Sequence, residues 1–306
     1  MAQRRNGDLR GLPAKRNFLG IDAPHASYEN ASIVIVPAPY ERTVSYGKGT
    51  ARGPAAILAA SRYVEFWDEE FGRELCFDHG ICTLPSLSFR NLAVPKALER
   101  IERLTARILS DGKFVVTLGG EHTVSVPAIR AHAARYPGIS ILQLDAHADL
   151  RPRYEGTPWS HASAMARIAE FIPPERIVQL GVRAESIEEY RFIRERAVRT
   201  FFAHSVRNGS YGDDWKGSVL DALGDEVYVT FDVDFLDPSA MPATGTPEPG
   251  GFFWDETIDL LKRVGASRRI VGFDVVELAP SNALPFAAFL TAKLVYKLMN
   301  ASFMGR

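Results

Sequence analysis

The sequence predicts one α/β domain on a mainly parallel sheet with helices on both faces, and three observations predict it. Short β-branched runs alternate with longer helical patterns from about residue 31 onward, the order that βαβ crossovers impose. Runs such as ISILQL (139–144) and VYVTF (227–231) read as apolar on both faces, as buried central strands should. No repeat, low-complexity tract or Ser/Gly-rich linker breaks the alternation. A single domain over 31–306 is therefore expected, behind an N-terminal extension over 1–30.

The predicted strands are 32–37, 114–118, 139–144, 176–180, 200–203, 226–231 and 269–273. Each is a short β-branched or aromatic run. Between them, apolar residues recur at helical spacing over 54–67, 95–109, 124–136, 161–171, 185–196 and 255–264, and a last helix is expected near 286–299. Segment 238–251 carries four prolines and three glycines, so the chain must leave the sheet there as a loop, one able to form a pocket wall. Tyr63, Phe66 and Trp67 fall on the first predicted helix and read as core or subunit interface.

Composition narrows the function. The 306 residues are 46% hydrophobic and 24% charged, with a formal net charge of −1, the balance of a globular protein with no electrostatic pull toward nucleic acid or an anionic membrane. The basic start, MAQRRNGDLRGLPAKR, is followed by no apolar segment, so it reads as a short exposed tail rather than a signal peptide. No run is long enough for a membrane span. Cys76 and Cys82 are too few for a disulfide framework, and both are expected reduced in a cytoplasmic protein.

Ligands of parallel sheets bind beyond the carboxyl ends of the strands, so the residues that follow each strand matter most. Gly119-Gly120-Glu121-His122 follows one, and Asp145-Ala146-His147-Ala148-Asp149 another. Asp232-Val233-Asp234 and Asp274-Val275-Val276-Glu277 follow two more. Alternation at period two starts positions 145, 147 and 149 on one face, and 232 and 234 on another. With His122, that places two imidazoles and Asp145, Asp149, Asp232 and Asp234 on one rim. Carboxylates this close would repel one another unless cations bound them. Six ligands are too many for one tetrahedral ion, and carboxylates bridge, so two ions are expected. A set rich in oxygen and lacking thiolate favours manganese. Gly47-Lys48-Gly49 lacks the strand–helix context of a nucleotide-binding loop.

These segments resemble the arginase–agmatinase ureohydrolases. The matching runs are GGEH (119–122), LDAHADLR (144–151), SHAS (160–163), FDVDFLDPSAMPATGTPEPGG (231–251) and GFDVVELAP (272–280). PYERTVSYGKGTARGPAAI (39–57) further resembles the agmatinase branch. The resemblance implies a three-layer αβα fold and two Mn²⁺ ions. One ion would be held by His122, Asp145, Asp149 and Asp232, the other by Asp145, His147, Asp232 and Asp234, with Asp145 and Asp232 bridging. It further implies a proton-shuttling role for His161 and a guanidinium-pairing role for Glu277. In the mechanism this suggests, Asp149 or His161 gives a proton to the departing amine.

The implied substrate is a small guanidino compound, agmatine first, giving putrescine and urea. Arginases hold the amino-acid end of arginine through polar residues after the DxHxD run and an acidic stretch after a later Gly-x-Arg. Here those places read LRPRYEGTPW (150–159) and Ala184-Glu185-Ser186, which look unlike an arginase. Aminopropylagmatine and guanidinobutyrate remain as other substrates, with Arg151 and Arg153 favouring a carboxylate if they face the pocket and Glu155 able to offset one of them. A formimino or amide hydrolase on the same scaffold is a second class, and a non-catalytic metal-binding scaffold a third. The resemblance also implies a homo-oligomer, trimer or hexamer.

Overall fold

The computed structural model describes residues 9–304. Its centre is an eight-stranded sheet in the order β2-β1-β3-β8-β7-β4-β5-β6. The strands are β1 Ile33–Ala38, β2 Ile81–Thr83, β3 Phe114–Gly119, β4 Ser140–Leu144, β5 Ile177–Leu180, β6 Arg199–Phe201, β7 Glu226–Asp232 and β8 Arg269–Val276. Every pairing is parallel, so the expectation of a mainly parallel sheet becomes an all-parallel one among the described residues.

Alternate residues of one strand feed opposite layers. Ile33 and Ile35 of β1 pack with the helices Gly53–Ser61, Trp254–Ser267 and Pro285–Ser302. Val34 and Val36 face the other side, where Ile108 and Leu109 of Val94–Ser110 cover them. Val126 and Ile129 of Ser125–Arg135 extend that second layer under β4 and β5. Burial of both faces explains the unbroken apolar runs, and it makes the three-layer αβα expectation correct.

The departures from expectation are local. The first predicted helix stops at Ser61, after which Tyr63 and Trp67 lie on the surface and Phe66 packs only partly against the core. β2 was not predicted; ICT is short, and only its pairing with Ile33–Ile35 makes it a strand. The predicted strand 200–203 ends at Phe201, and Ala203 instead opens the short helix Ala203–Arg207. β8 runs through Asp274 to Val276, so Asp274 is a mid-strand residue rather than a strand-end one.

Within the stretch expected as an N-terminal extension, residues 1–8 lie outside the described residues. Residues 17–31 pack against the domain: Phe18 and Leu19 are buried, and the Asn17 side chain donates to the Ile81 carbonyl and accepts from the Thr83 amide. Cys76 and Cys82 are separate, buried and free. Among the described residues no helix is long and apolar enough to cross a membrane.

Candidate metal centre

The four strands that end in acidic or imidazole residues are the four central ones, β3-β8-β7-β4. β3 and β4 are consecutive strands of this set in the chain, yet β8 and β7 lie between them. That separation opens a crevice beyond the strand ends, where ligands of parallel sheets bind.

His122 stands in a 3-10 turn directly after β3. The preceding Gly120 is obligatory, since a Cβ there would lie 2.1 Å from the Tyr40 carbonyl oxygen. The Nδ1 atom of His122 is 3.0 Å from Asp145 Oδ2, 3.0 Å from Asp149 Oδ2 and 3.5 Å from Asp232 Oδ2. Across the cluster, His147 Nδ1 is 2.9 Å from Asp234 Oδ2 and 3.7 Å from Asp145 Oδ1. Two sets of potential ligands result, His122/Asp145/Asp232 and Asp145/His147/Asp234, each with its ligand atoms within 4.8 Å of one another. Asp145 belongs to both, so it is placed to bridge.

The convergence is reached differently from strand alternation. Asp149 sits in the left-handed region at φ 53°, and Asp234 lies in the turn Val233–Phe235, its amide donating to Asp232 Oδ1. A non-glycine residue at positive φ is uncommon and costs free energy that surrounding structure must offset. Glu277, at φ 64°, is the other such residue of the site.

Electrostatics shows what the cluster lacks. Burial raises the Asp149 carboxyl, with Asp145 adding to it, to about 6. Burial, then Asp234 and Asp145, push Asp232 well above the carboxylate range. Burial opposes protonation of His122 and His147, but the carboxylates outweigh it, carrying His122 well above an ordinary imidazole and His147 to about 12. Yet the buried His122 Nδ1 makes no hydrogen bond, although carboxylate oxygens lie 3.0 Å away. A buried imidazole nitrogen amid inward-facing carboxylates is an arrangement that a shared cation satisfies. The residues therefore fit a pair of divalent ions.

The second nitrogen of His122 is held from behind. Nε2 lies 2.9 Å from Thr230 Oγ1, which donates to Asp274 Oδ1 at 2.7 Å, while Tyr228 donates to Asp274 Oδ2 at 2.8 Å. Such outer partners fix the tautomer and ring plane of a metal-binding histidine. In the sequence Asp274 reads only as a strand-end carboxylate, and Thr230 and Tyr228 carry no signal because VYVTF reads as an apolar strand.

Beside the cluster, the His122 amide donates to Glu277 Oε1 at 2.7 Å, and His161 Nδ1 is 3.5 Å from the same oxygen. Burial lowers the His161 pKa, but Glu277 and then Asp149 outweigh it and raise it to about 9. The His161 amide donates to Thr43, whose hydroxyl and amide both donate to the buried Glu121. Glu121 of the GGEH run thus ties the segment 42–43 to the site.

The cluster opens on a cavity of about 310 Å³, whose walls include His147, Asp149, Asp232, Asp234, His161 and Glu277 together with Tyr154, Glu185 and Glu248. Thr246 and Glu248 bring the Pro/Gly-rich loop to its wall, and that loop touches the early segment where the Gly47 amide donates to Gly245. Arg151 lines the cavity, but it is 3.4 Å from Glu189 and stacked over Tyr154. Arg153 and Glu155 are not among the lining residues; Arg153 donates to the Gly156 carbonyl.

Comparison with known proteins agrees with this geometry. The profile of the Arginase family matches residues 31–300. An N(1)-aminopropylagmatine ureohydrolase from Synechocystis is 37% identical over 279 residues, 89% of this chain and 90% of that protein. An agmatinase from Bacillus anthracis is 36% identical, over 86% of this chain and 90% of its own length. The crystal structure of agmatine ureohydrolase of Thermoplasma volcanium superposes with a TM-score of 0.82 at 28% identity, covering 97% of this chain and 95% of that one. The chain belongs to the arginase family, on its agmatinase-like branch of ureohydrolases.

Proposed function

We propose that this ureohydrolase converts a guanidino compound with a cationic tail, agmatine foremost, to urea and an amine, using two Mn²⁺ ions. One observation carries the reading: Glu277 and His161 stand together over the two ligand sets, in a cavity whose further wall is acidic. His122, Asp145, Asp149 and Asp232 would hold one ion, and Asp145, His147, Asp232 and Asp234 the other. When bound, the ions supply the Lewis acidity that brings a water's pKa toward neutrality.

The protein's own part is positioning and proton transfer. Glu277 offers a carboxylate fixed by the His122 amide, suited to a planar guanidinium by paired, charge-assisted hydrogen bonds. His161, protonated at neutral pH beside Glu277, holds the proton that the departing amine needs. Asp149 lies on the same wall, and its carboxylate adds to the field that keeps His161 protonated. One water is consumed, and urea and the protonated amine leave.

The tail is argued from charge. Glu185, Glu189 and Glu248 line the cavity beyond the ligand sets, and the arginine there, Arg151, is engaged by Glu189. Arg183 donates to the backbone carbonyls of Gly181, Asp234 and Glu248. A carboxylate tail, as in guanidinobutyrate or arginine, therefore meets no uncommitted cation among the lining residues. The same carboxylates favour a second reading, aminopropylagmatine, whose additional amine would reach further along the acidic wall.

Urea release from these four compounds, on protein stripped of metal and reloaded with Mn²⁺, tests the proposal. Agmatine or aminopropylagmatine should give urea in a manganese-dependent way. Urea from guanidinobutyrate or arginine alone would refute the charge argument and leave the hydrolase standing.

A further inference from the structure

One row of the sheet is polar where its neighbours are apolar. Thr117 of β3 pairs with Asp274 of β8, Asp274 with Thr230 of β7, Thr230 with Gln143 of β4, Gln143 with Gln179 of β5, and Gln179 with Thr200 of β6. The next row toward the site is Leu118, Val275, Phe231, Leu144, Leu180 and Phe201. The row on the other side holds Val116, Phe273, Val229, Leu142 and Val178, and turns polar only at the exposed Arg199 of the edge strand β6. Thr117, Asp274, Thr230, Gln143 and Gln179 are all fully buried. Burying polar groups is costly unless each is hydrogen-bonded, so a register-matched polar row inside such a sheet needs a purpose.

On the β4 side, its hydrogen bonds form a chain with one direction. The Thr200 hydroxyl donates to Gln179 Oε1 at 2.8 Å, Gln179 Nε2 donates to Gln143 Oε1 at 2.6 Å, and Gln143 Nε2 donates to Asp145 Oδ2 at 2.7 Å. The remaining amide hydrogens grip the loop after β4: Gln143 donates to the His147 carbonyl at 3.2 Å and Gln179 to that of Ala148 at 2.8 Å. Reversing the Gln143 amide would set its oxygen against a carboxylate and a carbonyl, so the chain fixes which end faces Asp145. The other carboxylate oxygen, Oδ1, accepts the His147 amide at 2.6 Å. Asp145 is thus held at both oxygens by neutral donors, which set its plane and leave its negative charge undiminished.

We propose that Gln143 is the positioning residue of Asp145, a carboxylate common to both ligand sets, and that Gln179 and Thr200 brace it. The proposal rests on the two-ion reading of the site. Outer partners of metal ligands contribute roughly 10- to 100-fold in metal affinity.

The test is Mn²⁺ titration of metal-free protein by calorimetry, with melting of the metal-free form and the split between kcat and KM at saturating Mn²⁺ as companion readouts. Gln143→Leu should weaken Mn²⁺ binding roughly 10- to 100-fold and, once loaded, lower kcat more than it raises KM. The control is Ser140→Ala on the same strand, which removes the acceptor of the Gly224 amide away from the site. It should lower the melting temperature and leave Mn²⁺ affinity unchanged. Equal affinity in Gln143→Leu and wild type would overturn the proposal, as would an equal loss of affinity in Ser140→Ala. Should Gln143→Leu not fold, Thr200→Val at the half-buried end of the chain decides. A roughly two- to tenfold loss of affinity supports the brace, and none overturns it. Wild-type protein that takes up no Mn²⁺ would instead sink the two-ion reading beneath it, a result distinct from equal binding by both.

Discussion

Replacing Glu277 by glutamine removes the charge that holds the guanidinium, and with it the main support of the His161 proton. The substitution keeps the side chain's shape and keeps an oxygen for the His122 amide, which now donates to Oε1 at 2.7 Å. It exchanges the other oxygen for an N–H that points at a ligand with donors only. One hydrogen bond to a charged group is lost, about 1.5–3 kcal/mol. The attraction between two unit charges near 4 Å, about 4 kcal/mol at an effective dielectric of 20, disappears as well. The two losses overlap, so the combined effect is set at roughly 3–5 kcal/mol, which corresponds to about 10²- to 10⁴-fold in kcat/KM. Because Glu277 belongs to neither ligand set, Mn²⁺ binding should stay within a few-fold of wild type. The assay is steady-state urea release from agmatine, paired with Mn²⁺ titration and a melting curve. A folded, metal-replete Glu277→Gln enzyme with kcat/KM within about fivefold of wild type would falsify the guanidinium-holding role.

Other expectations follow from the same geometry. Asp232→Asn, at a carboxylate 3.5 Å from His122 Nδ1, should abolish turnover and weaken metal retention; near-normal urea release from metal-replete protein would sink the two-ion assignment. Glu248→Gln should raise KM for cationic substrates severalfold with little change in kcat, since Glu248 lines the cavity outside both ligand sets; an unchanged KM for both agmatine and aminopropylagmatine removes it from the tail site. Lys297 is buried and lies 2.7 Å from both Asp68 and Glu70, so Lys297→Met should cost about 3–5 kcal/mol by stranding the buried Asp68. At roughly 2.1 cal/mol/K per residue over 306 residues, that is a fall of about 5–8 °C in Tm, which Asp68→Asn should partly restore. Burial opposes the Lys297 charge but Asp68 and Glu70 outweigh it, raising its pKa. On the basic side that stability is fully present below the unfolded lysine pKa and is lost as pH rises through the folded one; on the acid side Lys297 holds Glu70 below its ordinary value against burial, so the stability is lost as pH falls through the folded carboxylate pKa. The difference in Tm between variant and wild type should therefore hold steady across neutrality and shrink only in acid or strong base, and a difference that shrinks between about pH 6 and pH 8 would contradict the reasoning.

Much of the candidate site could be read without coordinates because its proposed ligands are local. His122 follows β3 within a few residues, Asp145, His147 and Asp149 follow β4, and Asp232 and Asp234 end or follow β7. Strand ends of a parallel sheet share one edge, so residue types at those ends announce a site before any fold is known. His161 and Glu277 needed the family resemblance, since each alone is an unremarkable polar residue. The outer partners stayed hidden for a different reason. Gln143, Gln179 and Thr230 interrupt apolar runs such as SILQL and IVQL by single residues, and one polar residue in a strand signals nothing until register shows that its neighbours are polar too.

The sequence by itself determined the fold class, the parallel sheet, the strand ends that carry the ligands and the demand for cations among them. These follow from periodicity and from chemistry within a few residues, which the chain carries along its length. Only the tertiary structure decided that β8 and β7 insert between β3 and β4, that Arg151 is engaged by Glu189, and that a polar row lies beneath the site. Each of these depends on which residues meet across tens or hundreds of positions. Such meetings are set by packing and strand register, which no local pattern encodes.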